Sequence, residues 1–267
     1  MIPLFRRKLS DFPFTYIAAM PRSGSTMVAG ILSAPPISRF FSEIGLNRGM
    51  THGLDQLAKI NPDFGRWLAP HELDPQGMIR VFQNKILPEL FRLYSHIGVK
   101  ECFHDNWELF LKLTTKVRFI VLARDPRDVM LSVLDYGDRV PWHRQMWADR
   151  GDEYVALRFN EIWIQQLQMI DKAFALPLRY EDLCKKPETF TELCRFCELP
   201  LDKPSAAGLL VGNYSWRRWE IEKHGSKDIG TGSVDRWKSE IHSGHRQRAL
   251  RVGELMKDYC KFWGYEY

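Results

Sequence analysis

Four apolar runs, each about the length of a β-strand, recur along the chain at residues 14–20, 95–100, 117–123 and 176–180. Stretches with a helical pattern of apolar positions separate them. Strands that alternate with helices predict a parallel sheet whose crossover connections are helical. We therefore predict an α/β fold with a central parallel sheet flanked by helices, built as a single domain over residues 1–267.

The first apolar run leads into a turn of small residues at 21–26, and an apolar stretch of helical character follows at 27–32. A strand, a small-residue turn and a helix in this order direct several backbone N–H groups at a phosphate. We expect the amides of residues 23–26 to form this cradle. Arg22 adds a permanent cation whose planar fork suits a pair of phosphate or sulfate oxygens.

The same turn departs from the P-loop of nucleotide hydrolases and kinases, which reads G-x-x-x-x-G-K-[ST]. Gly24 and Thr26 fit its last positions, but Ser25 replaces the lysine and Ala19 replaces the first glycine. The lysine is the usual partner of the β- and γ-phosphates, so its absence argues against a kinase. No carboxylate that could hold Mg²⁺ follows a strand in the Walker B manner either, although a P-loop kinase stays an alternative.

A second candidate anion site follows the apolar run at 117–123. Asp125 stands at an N-cap position, Pro126 at the first helical position, and Asp128 three residues after the cap, where its carboxylate can reach back. Arg124 then lies at the carboxyl end of a strand and Ser132 about two helical turns further on. We expect these two side chains to converge on one anionic group.

Together these segments resemble the sulfotransferases that use 3′-phosphoadenosine-5′-phosphosulfate (PAPS). The turn at 21–26 is similar to the family's 5′-phosphosulfate loop, and Arg124 and Ser132 match its Arg and Ser eight residues apart. Residues 179–183 resemble its YEDL segment, and residues 230–238 its C-terminal loop over the nucleotide. The resemblance covers roughly residues 14–45, 97–135 and 176–240, in the family's order.

The resemblance implies a P-loop-like sulfotransferase fold and an enzyme that transfers a sulfuryl group from PAPS to a hydroxyl or amine of a small-molecule acceptor, without a metal. A non-catalytic protein that binds the product 3′-phosphoadenosine-5′-phosphate (PAP) is a further alternative. The resemblance places Tyr180 near the adenine and Gly232 and Ser233 over the 3′-phosphate. The residues that it implies in cofactor binding are Arg22, Ser23, Gly24, Ser25, Thr26, Arg124, Ser132, Tyr180, Gly232 and Ser233.

The resemblance implies four residues in catalysis, which are Arg22, Lys100, Glu43 and His104. Lys100 aligns with a family lysine 24 residues before Arg124 and is expected at the leaving oxygen. Some members place a histidine two residues after that lysine, where this chain has Cys102; His104 follows two positions later. The branch that sulfates protein tyrosines, and some bacterial members, instead use a glutamate at the position of Glu43.

We favour Glu43 as the general base, because apolar neighbours in residues 40–44 are expected to raise its pKa. His104 and Glu101 remain alternatives.

Residues 135–170 differ in character from the rest, with three tryptophans and a cluster of charges. We predict that they form a lid or acceptor-binding insertion; a helical insertion that only packs is the alternative.

Composition adds a few constraints. A net charge of +5 suits an anionic cofactor, but the basic residues are scattered and do not indicate a nucleic-acid partner. The five cysteines are odd in number and do not show the spacings of a disulfide framework, as expected for reduced thiols in the cytoplasm. Cys194 and Cys197 have the spacing of a metal-binding pair, but there is no second pair to complete a metal site. No apolar window approaches the roughly 18 residues of a membrane span. The sequence leaves the acceptor and the oligomeric state open.

Overall fold

The computed structural model describes residues 11–48, 54–68, 74–202, 231–238 and 243–266. Within them, five strands form one parallel sheet: β1 Pro13–Ala19, β2 Ser38–Ser42, β3 His96–Glu101, β4 Lys116–Ala123 and β5 Ala175–Arg179. Their order across the sheet is β2-β3-β1-β4-β5. The predicted α/β fold is confirmed, and the four predicted strands are β1, β3, β4 and β5.

The described helices connect and cover these strands: α1 Ser25–Leu32, α2 Leu54–Ala58, α3 Pro62–Leu68, α4 Pro75–Val81, α5 Leu87–Leu93, α6 Pro126–Gly137, α7 Pro141–His143, α8 Asp152–Lys172, α9 Tyr180–Lys185, α10 Pro187–Phe196, α11 Ser243–Leu255 and α12 Lys257–Trp263. A π-helical turn, Phe82–Ile86, joins α4 to α5, and a second, Arg144–Ala148, extends α7. None of the helices in these ranges combines the length and apolarity needed to cross a membrane.

The central strands are buried on both faces, which explains why they read as continuous apolar runs. Tyr16 of β1 lies opposite Val99 of β3 and Phe119 of β4, and these side chains belong to the larger core cluster. The neighbouring residues Ile17 and Ile120 point to the other face, where a smaller cluster forms with α1, α9 and α10. Side-chain alternation along each strand therefore divides one apolar run between two cores.

The predicted lid region contains the crossover from β4 to β5. Its longest element, α8, buries Val155, Phe159 and Ile162 in the larger core. Trp147, in the π-helical turn before α8, is buried against Phe159, with ring centroids 5.4 Å apart. Trp142 of α7 is 59% exposed instead. Much of this region is thus core structure, and a role as an acceptor lid stays a prediction for the segment around α7.

The start of α6 is held by remote segments as well as by its own cap. The Asp125 carboxylate accepts from the Arg127 N–H at 2.9 Å, as an N-cap does, and forms a bidentate pair with the Arg127 guanidinium. The expectation that Asp128 reaches back to the cap is wrong. The Asp125 N–H donates to Glu181 instead, at 2.9 Å, and Asp128 accepts from the Trp237 N–H at 3.1 Å.

Asp128 is a buried carboxyl with one oxygen, Oδ2, that has no hydrogen-bond partner among the described residues. Burial raises its pKa from 3.8 to about 6, against the opposing effect of the nearby Arg124 cation. The folded protein therefore holds this proton more tightly than the unfolded chain does. Ionising Asp128 destabilises the fold as the pH rises from about 4 to about 6, and the loss persists at higher pH.

We expect Asp128→Asn to stabilise the protein at pH 7.5 by about 1–3 kcal/mol, since a shift of about two pKa units corresponds to roughly 3 kcal/mol. The amide oxygen can still accept from the Trp237 N–H. The gain should shrink towards pH 4, where Asp128 is protonated in the fold. Chemical denaturation at both pH values measures this, with Asp125→Asn as the control, which should be less stable than wild type at pH 7.5. A loss of stability in Asp128→Asn at pH 7.5 would contradict the raised pKa.

Candidate active site

The carboxyl ends of all five strands lie along one edge of the sheet, where open α/β sheets bind their ligands. The turn 21–26 follows β1, and Glu43 follows β2. Lys100 lies near the end of β3, Arg124 directly follows β4, and Tyr180 directly follows β5. The parallel direction of the strands thus gathers side chains that are far apart in the sequence.

Ser23 stabilises the turn after β1 through hydrogen bonds to the backbone. Its N–H and its hydroxyl both donate to the Met20 carbonyl, at 3.2 and 2.7 Å, and the residue is fully buried. The Ser23 amide is thus paired within the turn, and its expected contact with a phosphate stays a prediction. Amides at the start of α1, those of Ser25 and Thr26, have no intrahelical partner by the geometry of a helix N-terminus. Their expected role, together with Gly24, as an anion cradle stays a prediction.

Gly24 is required by both its conformation and its neighbour. It is the N-cap of α1 with φ of +90°, a region that side-chain-bearing residues rarely adopt. A Cβ atom at this position would lie 2.3 Å from the ring of Tyr180. Tyr180 is itself buried, with the Arg124 guanidinium 4.8 Å from its ring centroid. The ring therefore holds the loop and Arg124 together, and its expected contact with adenine stays a prediction.

Arg124 joins two segments through their backbone. Its Nη1 donates to the Arg22 carbonyl at 2.9 Å, and its Nη2 donates to the Ser233 carbonyl. The residue is 4% exposed, and its Nε is buried with no hydrogen-bond partner among the described residues. A buried donor without a partner is costly, so it marks a place where a ligand oxygen would be stabilised.

Ser132 lies close to the same place. Its hydroxyl accepts from Arg22 Nε at 3.3 Å, while the Arg22 guanidinium also lies over the ring of Tyr136, 4.3 Å from the centroid. Arg22 has φ of +64°, an uncommon conformation that often occurs at functional loops. Arg124 and Ser132 thus both contact Arg22, one through its backbone and one through its side chain.

The turn Thr231–Ser233 contributes Ser233 to this site through the carbonyl that Arg124 contacts. Gly232 faces open space, because a Cβ built there would meet no atom within 4 Å. Its backbone is therefore accessible to a ligand. Residue 230, at the start of the matching sequence motif, lies outside the described residues.

Lys100 and Glu43 form an ion pair at the edge between β2 and β3. Lys100 is buried, whereas the side chain of Glu43 is 48% exposed. The backbone of Glu43 has φ of +53°. The Glu43 N–H donates to the Lys100 carbonyl at 2.6 Å. The Cys102 sulfur lies 3.5 Å from both Lys100 Nζ and Glu43 Oε1.

Burial by itself lowers the pKa of the Lys100 ammonium, but Cys102, when ionised at high pH, and Glu43 more than offset this and hold the pKa well above its usual value. Burial also raises the pKa of the Cys102 thiol to about 12, so this group is neutral at pH 7. The Glu43 carboxylate is therefore the counter-ion of Lys100. The expected apolar setting of Glu43 is wrong, because Phe41 and Ile44 point into the core while the carboxylate contacts an ammonium group.

The two alternative bases are enclosed. Burial raises the pKa of Glu101 to about 8, and its carboxylate accepts from the Gly45 N–H at 3.0 Å. Burial lowers the pKa of His104 to about 3, and its Nδ1 lies 3.1 Å from the Tyr16 hydroxyl. Both residues are at most 3% exposed, so neither presents its side chain to an acceptor as Glu43 does.

Sequence reasoning missed Tyr136 and His143. Tyr136 follows Ser132 by four residues and so lies on the same face of α6, a spacing that could have placed it beside Ser132. The His143 ring packs edge-on against Tyr136, with centroids 4.7 Å apart. His143 belongs to α7, and no sequence pattern links it to Arg22.

Comparisons with known proteins agree with this geometry. The model of the sulfotransferase family matches residues 13–203. No curated protein matches the chain. The fold is similar to the sulfotransferase domain of the curacin biosynthetic pathway, with a TM-score of 0.58 and 18% identity over 95% of this chain and 98% of that one.

Two further solved structures share the fold. The sulfotransferase domain of the Synechococcus PCC 7002 olefin synthase has a TM-score of 0.55 and 17% identity over 98% of this chain and 99% of that one. Sulfotransferase STF9 from Mycobacterium avium has a TM-score of 0.52 and 13% identity over 96% of this chain and 78% of that one. Because the family model covers more than half of the chain, the protein belongs to the sulfotransferase family and is an enzyme of sulfuryl transfer.

Proposed function

We propose that the sulfuryl donor is PAPS and that the carboxyl edge of the sheet binds it. The observation that carries this proposal is the convergence of Arg124 and Ser132 on Arg22, beside the start of α1. A nucleotide with phosphate only on its 5′ side would need the cradle alone. A second cationic site next to it suits a nucleotide with a further phosphate on the ribose.

In this proposal, two groups of residues bind different parts of the donor. The amides of Gly24, Ser25 and Thr26 and the Arg22 guanidinium hold the 5′-phosphosulfate. Arg124 and Ser132 hold the 3′-phosphate, and the backbone of Gly232 and Ser233 covers it. Tyr180 supports both groups, since its ring contacts Gly24 and Arg124.

The reaction is an in-line displacement on sulfur. The acceptor oxygen or nitrogen forms a bond to sulfur while the bond from sulfur to the bridging phosphate oxygen breaks, and PAP leaves. Glu43 takes the proton that the acceptor loses, and it is exposed enough to meet an acceptor. Lys100 stays protonated because of its raised pKa and stabilises the negative charge on the bridging oxygen.

The acceptor is proposed to be a small molecule with a hydroxyl or amine group, and the location is proposed to be the cytoplasm. Five free cysteines, four of them buried, support a reducing compartment.

We expect Arg124→Ala to weaken PAP binding by roughly 30- to 1,000-fold, as for the loss of a desolvated charge-assisted contact. Calorimetry with PAP, ATP and adenosine 5′-phosphosulfate measures this. Wild type should bind PAP far more tightly than ATP. Adenosine 5′-phosphosulfate lacks the 3′-phosphate, so its weaker binding should change much less in the variant.

Arg124→Lys is the matched control, because it keeps the charge but replaces a planar fork, whose donors are spread over three nitrogens, with a single nitrogen. It should fall between wild type and Arg124→Ala. Equal affinity of wild type for PAP and ATP would overturn PAPS as the donor. An equal loss for PAP and adenosine 5′-phosphosulfate in Arg124→Ala would show that Arg124 only shapes the loop.

We expect Glu43→Gln to lower turnover by about a hundredfold and to leave PAP affinity nearly unchanged, because the amide keeps the shape of the side chain but cannot take a proton. Release of labelled sulfate from PAPS, with water as the acceptor, measures turnover. Glu101→Gln and His104→Gln are matched controls at neighbouring buried positions. Near-normal turnover in Glu43→Gln, with activity lost in His104→Gln, would move the role of base to His104.

A further inference from the structure

His143 is a buried histidine beside the proposed donor site that the mechanism above does not use. It is 4% exposed, and its Nδ1 is buried with no hydrogen-bond partner in the part of the chain that the structure describes. Its ring is fixed edge-on between two aromatic rings, with centroids 4.7 Å from Tyr136 and 5.5 Å from Trp142. A buried ring nitrogen without a partner among the described residues is uncommon and calls for one.

Tyr136 links His143 to Arg22, a residue assigned to the donor. Arg22 contacts the same tyrosine, with its guanidinium 4.3 Å from the Tyr136 centroid, so Arg22 and His143 are neighbours of one ring. Burial, the larger effect, and the Arg22 cation lower the pKa of His143, and the Glu43 carboxylate opposes them. The pKa falls to about 4, so the imidazole is neutral at pH 7 and carries one N–H.

In an in-line displacement, the sulfuryl group lies between the donor phosphate and the acceptor atom. Arg22 is assigned to the donor side and Glu43 to the acceptor side. His143 packs against the Tyr136 ring that Arg22 covers, so its unpartnered nitrogen lies at the end of the site where Arg22 is assigned to the phosphosulfate. Resting on the proposed function, we infer that His143 donates its Nδ1–H to an oxygen of the sulfuryl group during transfer.

A neutral donor suits this place. The sulfuryl group already meets the cations Arg22 and Lys100, and a third cation would favour the ground state of the anionic donor as much as its transition state. A neutral N–H fixed by two aromatic rings orients an oxygen without adding charge. His143 would thus be a sulfuryl-binding residue that the lid segment supplies, which gives α7 a function in recognising the donor.

The test compares PAPS with PAP, because the two ligands differ by the sulfuryl group alone. Titrations are made in the Glu43→Gln background at low temperature, so that PAPS is not consumed. His143→Phe keeps an aromatic ring against Tyr136 and Trp142 but has no nitrogen. It should weaken PAPS binding about fivefold to tenfold, as for one neutral hydrogen bond, and leave PAP binding unchanged. His143→Asn, whose amide places an N–H near the position of Nδ1, should recover most of the PAPS affinity.

If His143 serves only to pack against its neighbours, the opposite pattern is expected. His143→Phe would then bind both ligands normally, and His143→Asn would weaken the binding of both. Met146→Ala, at a residue of the same segment that is 42% exposed, is the control and should bind both ligands like its parent. If His143→Phe leaves the ratio of PAPS to PAP affinity unchanged, the inference is overturned. If the Glu43→Gln parent fails to bind PAP at all, the proposed donor is wrong, which is a different result.

Discussion

The buried guanidinium of Arg124 is the contact on which the arrangement of the site depends. A cation that is 4% exposed must be compensated, and two backbone carbonyls, from Arg22 and Ser233, provide much of that compensation. These carbonyls belong to the turn after β1 and to a turn more than a hundred residues further along the chain. Satisfying one cation therefore fixes two loops against the end of β4, and the unpartnered Nε is left for a ligand.

A second buried cation organises the edge between β2 and β3 in a similar way. Lys100 is held in the sheet by its strand, and Glu43 at the end of the neighbouring strand supplies its counter-ion. The negative groups around Lys100 hold its pKa high and keep the ammonium charged, as the proposed contact with the leaving oxygen requires. The Glu43 side chain is much more exposed than that of Lys100, so the carboxylate reaches solvent and the ammonium does not. The two sites lie on opposite sides of β1, with the phosphate loop between them.

The strands and the phosphate loop follow from local sequence patterns. Continuous apolar runs predict strands buried on both faces, and four of the five strands were predictable on that basis. Strand β2 was missed because it has five residues, lies at the sheet edge and begins and ends with serine, so its apolar part is only Phe40 and Phe41. The family was predictable as well, since four motifs occur in the family's order and the two at the proposed anion sites have a local chemical reason.

The sequence alone determined the parallel sheet, the glycine and small residues of the loop, and the residue types at the strand ends. Tertiary structure decided which of these side chains meet. Asp128 bonds to the backbone of Trp237 rather than to its own helix cap, and Glu43 faces Lys100 rather than its apolar neighbours. His143 lies beside Tyr136 and Arg22 for the same reason. Local periodicity sets the direction of each side chain, but contacts between remote residues depend on how the elements pack, and no local pattern encodes that packing.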